Sequence, residues 1–364
     1  MKDIPTKPSH EQPGGKTVCT ESRWRWLSAL LSLVLIVSGS ILMTPQAHAA
    51  GAVTIQSQPG ASFATLTEAV AAAVDGDTII VSGEVVESSI VTIDKNLTIK
   101  AAAGGGTVIG NAETVLRQTG GTMNLGGETG AEVLNIVQKG SKPVPGFAGM
   151  RSIAVHVING AMHIRPGVSI SFDNEADTQI GLSLGTRVGK TAGDQKDMFG
   201  QFDSEPGHRI TGSITGGTIK TGEQRPLETN NDVRIGIVMR ENVHLTNISG
   251  IDVYGGRAAM DVSGSTIDLI SGGKFAANSR DRYAVDFVNN ALIKEISGGE
   301  FKQMGDFFRK SPRTSSGGAV NVSRGGIVEK ISGGQFIAPI SNDVAHNGLT
   351  VYRPSWDSTS AVRT

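Results

Sequence analysis

The sequence predicts an all-β chain wound as a parallel β-helix, with one short helix near its start. Three observations carry this prediction. The motif Ile-Ser-Gly-Gly-x-Phe occurs three times, in LISGGKF (269–275), EISGGEF (295–301) and KISGGQF (330–336). A small residue followed by an apolar-x-apolar triplet recurs as AVHV (154–157), GLSL (181–184), GIVM (236–239), AMDV (259–262), AVDF (284–287), AVNV (319–322) and GLTV (348–351). Composition agrees, since 48 glycines and only 5% aromatic residues suit narrow coils joined by tight turns. The 38% apolar content, arranged in regular alternation, argues against disorder.

The repeats define a unit of three short strands. After four of the triplets comes a second alternating segment: HLTNIS, TIDLIS, LIKEIS or IVEKIS. The Ser-Gly-Gly turn then leads into a third segment ending in Phe275, Phe301 or Phe336, and SITGGTI (213–219) and NISGIDV (247–253) are weaker copies of that turn. Triplets starting at 236, 259 and 284 lie 23 and 25 residues apart. A unit this small cannot bury its own apolar face, so successive units stack. Strands stacked on their copies run parallel, about 4.8 Å apart. The Ile and Phe of the motif are expected in inward columns, with the glycine pair supplying backbone freedom at a coil corner. Lys274, Glu300 and Gln335 are expected to point outward, and the motif reads as a corner rather than a site.

The N-terminus reads as an export signal over residues 1–49. Lys16, Arg23 and Arg25 precede the apolar run Trp26–Met43, and Ala47-His48-Ala49 offers the small-x-small pattern cleaved on export. Cys19, the single cysteine, leaves with that segment, so the exported chain has neither disulfide nor thiol chemistry. A capping helix is expected over 61–75, because Thr65 and Glu68 have capping-box spacing and Asp75-Gly76-Asp77 ends the Ala/Val-rich stretch. TIIVSG, SIVTI and NLTIKA follow as strands. Rungs are expected throughout 50–352, and 353–364 reads as a tail or the start of a truncated continuation.

The segment ATLTEAVAAAVDGDTIIVSGEVVESSIVTIDKNLTIKA resembles the cap and first rungs of the pectin-lyase-like superfamily. The ISGGxF rungs resemble those of exported Gram-positive surface proteins with a pectate-lyase-like adhesive domain. The resemblance covers roughly 53–352. It implies an all-β, single-stranded right-handed parallel β-helix with three strands per rung and a short N-terminal capping helix. It leaves activity open, because some members cleave acidic polysaccharides and others are adhesins.

Charge excludes one class of partner: 33 basic residues against 34 acidic give no footprint for nucleic acid. Membrane contact is expected only through the signal segment before cleavage. For an enzyme, the middle residues of the triplets form the relevant column: Val238, Asp261, Asp286, Asn321 and Thr350. Asp261 and Asp286 on adjacent rungs are the candidate catalytic pair and the weak Ca²⁺ candidate, with Arg280 and Arg282 of NSRDRY nearby. The bland alternative is a row of polar residues on a sheet surface. No Asp-Asp pair, Gly-His-Gly or Arg-x-Pro signature is present, and His208 in EPGHR lacks the second glycine. The seven histidines show no metal-ligand spacing, so no resident metal or cofactor is expected, Ca²⁺ entering only with a lyase.

Long intervals after the Phe strand, KQMGDFFRKSPRTSSGG (302–318) and IAPISNDVAHN (337–347), are expected to build a wall at one corner. Phe307, Phe308, Arg309 and Lys310 are its candidate binding residues. A separate insertion, 185–209, leaves from a different turn. The expected function is an exported or cell-surface binding module, adhesin-like, contacting a polysaccharide or a host or cell-surface glycoprotein without catalysis. The alternative is a lyase or glycoside hydrolase acting on an acidic polysaccharide.

Overall fold

The computed structural model describes residues 51–143, 150–185, 208–222, 233–278, 283–304, 318–337, 349–351 and 361–362. They belong to the second of two contact-defined units, Met1–His48 and Ala49–Thr364. The expected signal segment lies outside the described residues, as does the tail except for the strand Ala361–Val362.

The described residues hold one helix, Leu66–Ala72, and long parallel sheets. The helix is shorter than the expected 61–75. Thr65 is extended and caps it, its hydroxyl accepting from Glu68 N while the Glu68 carboxylate accepts from Thr65 N. Ala73 is already extended, and the Lys95 ammonium donates to the Val70 and Ala73 carbonyls at the open end. The buried Glu87 carboxylate accepts from Leu66 N and from the Thr67 hydroxyl, which ties the helix to the first long strand.

Strand pairing falls into three parallel ladders. The first runs from Thr78–Glu87 and Leu97–Gly110 through Gly160–Ile164, Val243–Ile248, Thr266–Ile270 and Leu292–Ile296 to Ile327–Ile331. A second includes Leu134–Gln138, Ile251–Gly255, Lys274–Ala277, Glu300–Gln303 and Gln335–Ile337. The third includes Thr114–Gln118, Met150–Val157, Thr178–Leu184, Val233–Met239, Ala258–Ser263, Val285–Val288 and Val320–Val322. Successive strands of any one ladder are separated in sequence by a strand of another. Thr78–Glu87 and Leu97–Gly110 are long enough to belong to both the first and second ladders, which joins these into one 18-stranded sheet beside a 10-stranded one.

Every recurring triplet falls in the third ladder, and every ISGGxF motif joins the first ladder to the second. Phe275 and Phe301 are fully buried and their rings stack at 5.1 Å, and Phe336 continues the column 5.1 Å from Phe301. Ile270 and Ile296 are buried beside them. Glycine is required at the second position of all three turns and at the first position of two of them, Gly298 and Gly333, whereas Gly272 has room for a side chain. The second adopts φ near +103° at Gly299 and Gly334, and a Cβ on the first, Gly298, would sit 2.3 Å from the Ser271 carbonyl oxygen.

The intervals 302–318 and 337–347 connect a second-ladder strand to a third-ladder strand, as do 139–149 and 278–284. The insertion 185–209 instead connects the third ladder to the first. Long intervals therefore fall at two connections, second to third ladder and third to first, the latter at 185–209 and 352–360.

Candidate functional site

The outward residues of the second ladder form a column. Asp252 pairs in register with Lys274, Lys274 with Glu300, and Glu300 with Gln335. Alternation places them opposite Val253, Phe275, Phe301 and Phe336, whose side chains turn inward. An open groove of about 670 Å³ runs along the Ser-Gly-Gly corner beside them, lined by these four side chains and by Gly250, Gly273, Gly298, Gly299 and Gly334. Without side chains at those glycines, backbone amides and carbonyls form its floor.

The charges of this column are unpaired. Lys274 lies between two carboxylates one strand away, yet no ion pair or hydrogen bond joins it to Asp252 or Glu300 among the described residues. Elsewhere, neighbouring strands do pair their charges. On the first ladder the Asp268 carboxylate meets His244 Nε2 at 2.8 Å and Lys294 Nζ at 2.7 Å. The Lys294 hydrogen bond holds the Asp268 carboxyl below the usual carboxylate range, helped by His244 and opposed by partial burial. Glu295 accepts from the Ser332 hydroxyl at 2.6 Å and pairs with Lys330 at 2.9 Å; both lower its pKa, Ser332 the more.

The sequence-derived catalytic candidates meet in part. Asp261 and Asp286 are register neighbours on the third ladder, in the column Val238, Asp261, Asp286, Asn321 and Thr350. Each is engaged: Arg240 Nη1 donates to Asp261 at 3.0 Å, and Asn321 Nδ2 donates to Asp286 at 3.0 Å. The column is not a solvent-facing row throughout. Val238 is fully buried and Asn321 is 9% exposed. A second apolar cluster of Ile153, Ile180, Val233, Ile235, Val238 and Ala258 lies on this ladder's strands.

Arg280, Arg282, Phe307, Phe308, Arg309 and Lys310 lie outside the described residues. His208 is partly buried and partnered, just before Ile210–Ile214. Among the described residues, no group of three or more His, Cys, Asp or Glu is placed to hold a metal ion. No described helix is long and apolar enough to cross a membrane.

Sequence reasoning missed the groove. The signal was present in the variable x position of ISGGxF, where Lys, Glu and Gln succeed one another over a glycine floor. No family model, curated protein or solved structure matches this chain. The class that fold and groove define is a repeat protein of long parallel sheets with a polar groove along one corner.

Proposed function

We propose that the three ladders are the three faces of a right-handed parallel β-helix with three strands per rung, of the pectin-lyase-like kind. On this reading the chain is an exported or surface-displayed binding module. Its groove takes a hydroxyl-rich linear polymer, a polysaccharide or the glycan of a glycoprotein, and does not cleave it. The observation that carries the proposal is the unpaired column Asp252, Lys274, Glu300 and Gln335 beside exposed glycine backbone. A repeating polymer laid along the stack meets a donor or acceptor at each rung. Unpaired charged and amide groups hydrogen-bond hydroxyls without first breaking an internal ion pair. The engagement of Asp261 by Arg240 and of Asp286 by Asn321 also fits binding better than acid–base chemistry, which needs a carboxyl group poised to exchange a proton.

The test is a glycan array together with a polysaccharide-degradation screen on the exported chain, each with and without Ca²⁺. Saturable binding to a glycan class, independent of Ca²⁺ and without chain shortening, is the expected result. Depolymerisation that disappears in Asp261→Ala or Asp286→Ala would replace this reading with a lyase or hydrolase.

A further inference from the structure

The charge along the groove has an order. Asp252, Lys274 and Glu300 follow one another in register as negative, positive and negative, and Gln335 closes the series without charge. On the other side of Asp252 the column continues through Thr218 and Ser169, also without charge. Neighbouring charges do not blur this order. Across the corner on the first ladder, Asp268 is paired with Lys294 and Glu295 with Lys330. Lys302 follows Glu300 two residues on, on the same face, but does not line the groove.

Strand spacing gives the series a period. Parallel neighbours stand about 4.8 Å apart, so Asp252 and Glu300 lie two spacings apart, about 9.6 Å, with Lys274 midway. An extended chain of pyranose sugars advances by nearly one strand spacing per sugar, so a disaccharide repeat spans nearly two. An extended peptide falls out of step, because its same-face side chains recur at about 6.6 Å. Sign narrows the match further. A uniformly acidic polymer would set its charges against Asp252 and Glu300, and a uniformly basic one would set an ammonium against Lys274. Like charges brought together oppose binding.

Resting on the reading of the groove as a glycan site, we propose that its polymer is zwitterionic: a disaccharide repeat with a free amine on one sugar and a carboxylate on the next. Two successive ammonium groups face Asp252 and Glu300, and the carboxylate between them faces Lys274. Sugar hydroxyls meet Gln335 and the backbone of the glycine floor.

Calorimetric titration with hyaluronan oligosaccharides and with their de-N-acetylated form tests this. The two probes share one backbone and one carboxylate per disaccharide, and they differ in the free amine. The titration is run where that amine is protonated and the carboxylates are ionised. The de-N-acetylated form should bind about tenfold or more tightly than its parent, a comparison that needs no variant. Fully deacetylated chitosan, with an amine on every sugar, should bind less tightly than the de-N-acetylated form. Asp252→Asn combined with Glu300→Gln should remove the preference for the amine. Lys274→Gln should weaken both hyaluronan forms while the preference persists. Equal affinity for the two forms, or tighter binding of chitosan or of a peptide of alternating Lys and Glu, overturns the proposal. Binding of other glycans without preference for the zwitterion would overturn it and leave the glycan groove standing, whereas absence of binding to any glycan would remove the groove's assignment itself.

Discussion

Two adjacent ladders treat the same kinds of residue in opposite ways. On the first, His244, Asp268 and Lys294 join into one chain of contacts, and Glu295 pairs with Lys330 and Ser332. On the second, Asp252, Lys274 and Glu300 stand one strand apart and make no such contact. Strand spacing is common to both, so spacing does not explain the difference. What differs is the neighbourhood. The second-ladder residues rise from a corner whose glycines leave open space, and their side chains point over that groove. Charges that satisfy one another belong to the fold, and charges that do not are available to a ligand.

The comparison breaks most severely if the floor beneath the groove is removed. Phe301 stacks between Phe275 and Phe336 and is fully buried. Phe301→Ala should cost about 3–5 kcal/mol in urea unfolding, and the groove residues above it should lose their register together. A loss below about 1 kcal/mol would mean that the phenylalanine column is not what holds this corner.

A pH experiment sharpens the same contrast through His156. Burial, then Arg117 and Arg151, push its folded pKa from the ordinary 6.5 to about 3, so the sign is that of a group that refuses its proton when folded. Above pH 6.5 the ring is neutral in both states and contributes nothing to the pH dependence. As the pH falls from 6.5 towards 3, the unfolded chain takes up a proton that the folded chain excludes, and stability declines. The slope from this group approaches about 1.4 kcal/mol per pH unit. Chemical denaturation of His156→Asn between pH 7 and 5 should show this part of the slope removed; an unchanged slope would show that His156 is not its source.

Much of this was legible in the sequence, and for a definite reason. A solenoid writes its contacts in sequence order, so AMDV and AVDF, 25 residues apart, lie side by side because each repeat meets its own copy. Thr65 and Glu68 announced the helix cap in the same local way. The site was less legible. Asp261 and Asp286 were brought together as the triplets implied, but Arg240, which engages Asp261, lies outside any repeat. The groove depends on whether Lys274 pairs with its neighbours, and that is set by the shape of a glycine corner rather than by residue type. The Glu113 carboxylate draws Lys142 and Arg151 from either side of a nonrepeating interval, where repeat logic is silent.

The smallest stability effects carry the most decisive functional contrast. Asp268→Asn removes the acceptor shared by His244 and Lys294, but all three side chains are partly exposed, which limits the loss to below about 1 kcal/mol. Glycan binding should not change, since those charges are already occupied with one another. Lys274→Ala should leave stability within about 0.5 kcal/mol, because the ammonium has no partner to lose among the described residues. Binding of the polymer should nevertheless fall about tenfold, the expected loss of a charge-assisted hydrogen bond to a ligand. Thermal unfolding and glycan affinity measured on both variants separate the two ladders. If Lys274→Ala destabilises the fold while Asp268→Asn weakens binding, the assignment of paired charges to structure and unpaired charges to ligand is reversed.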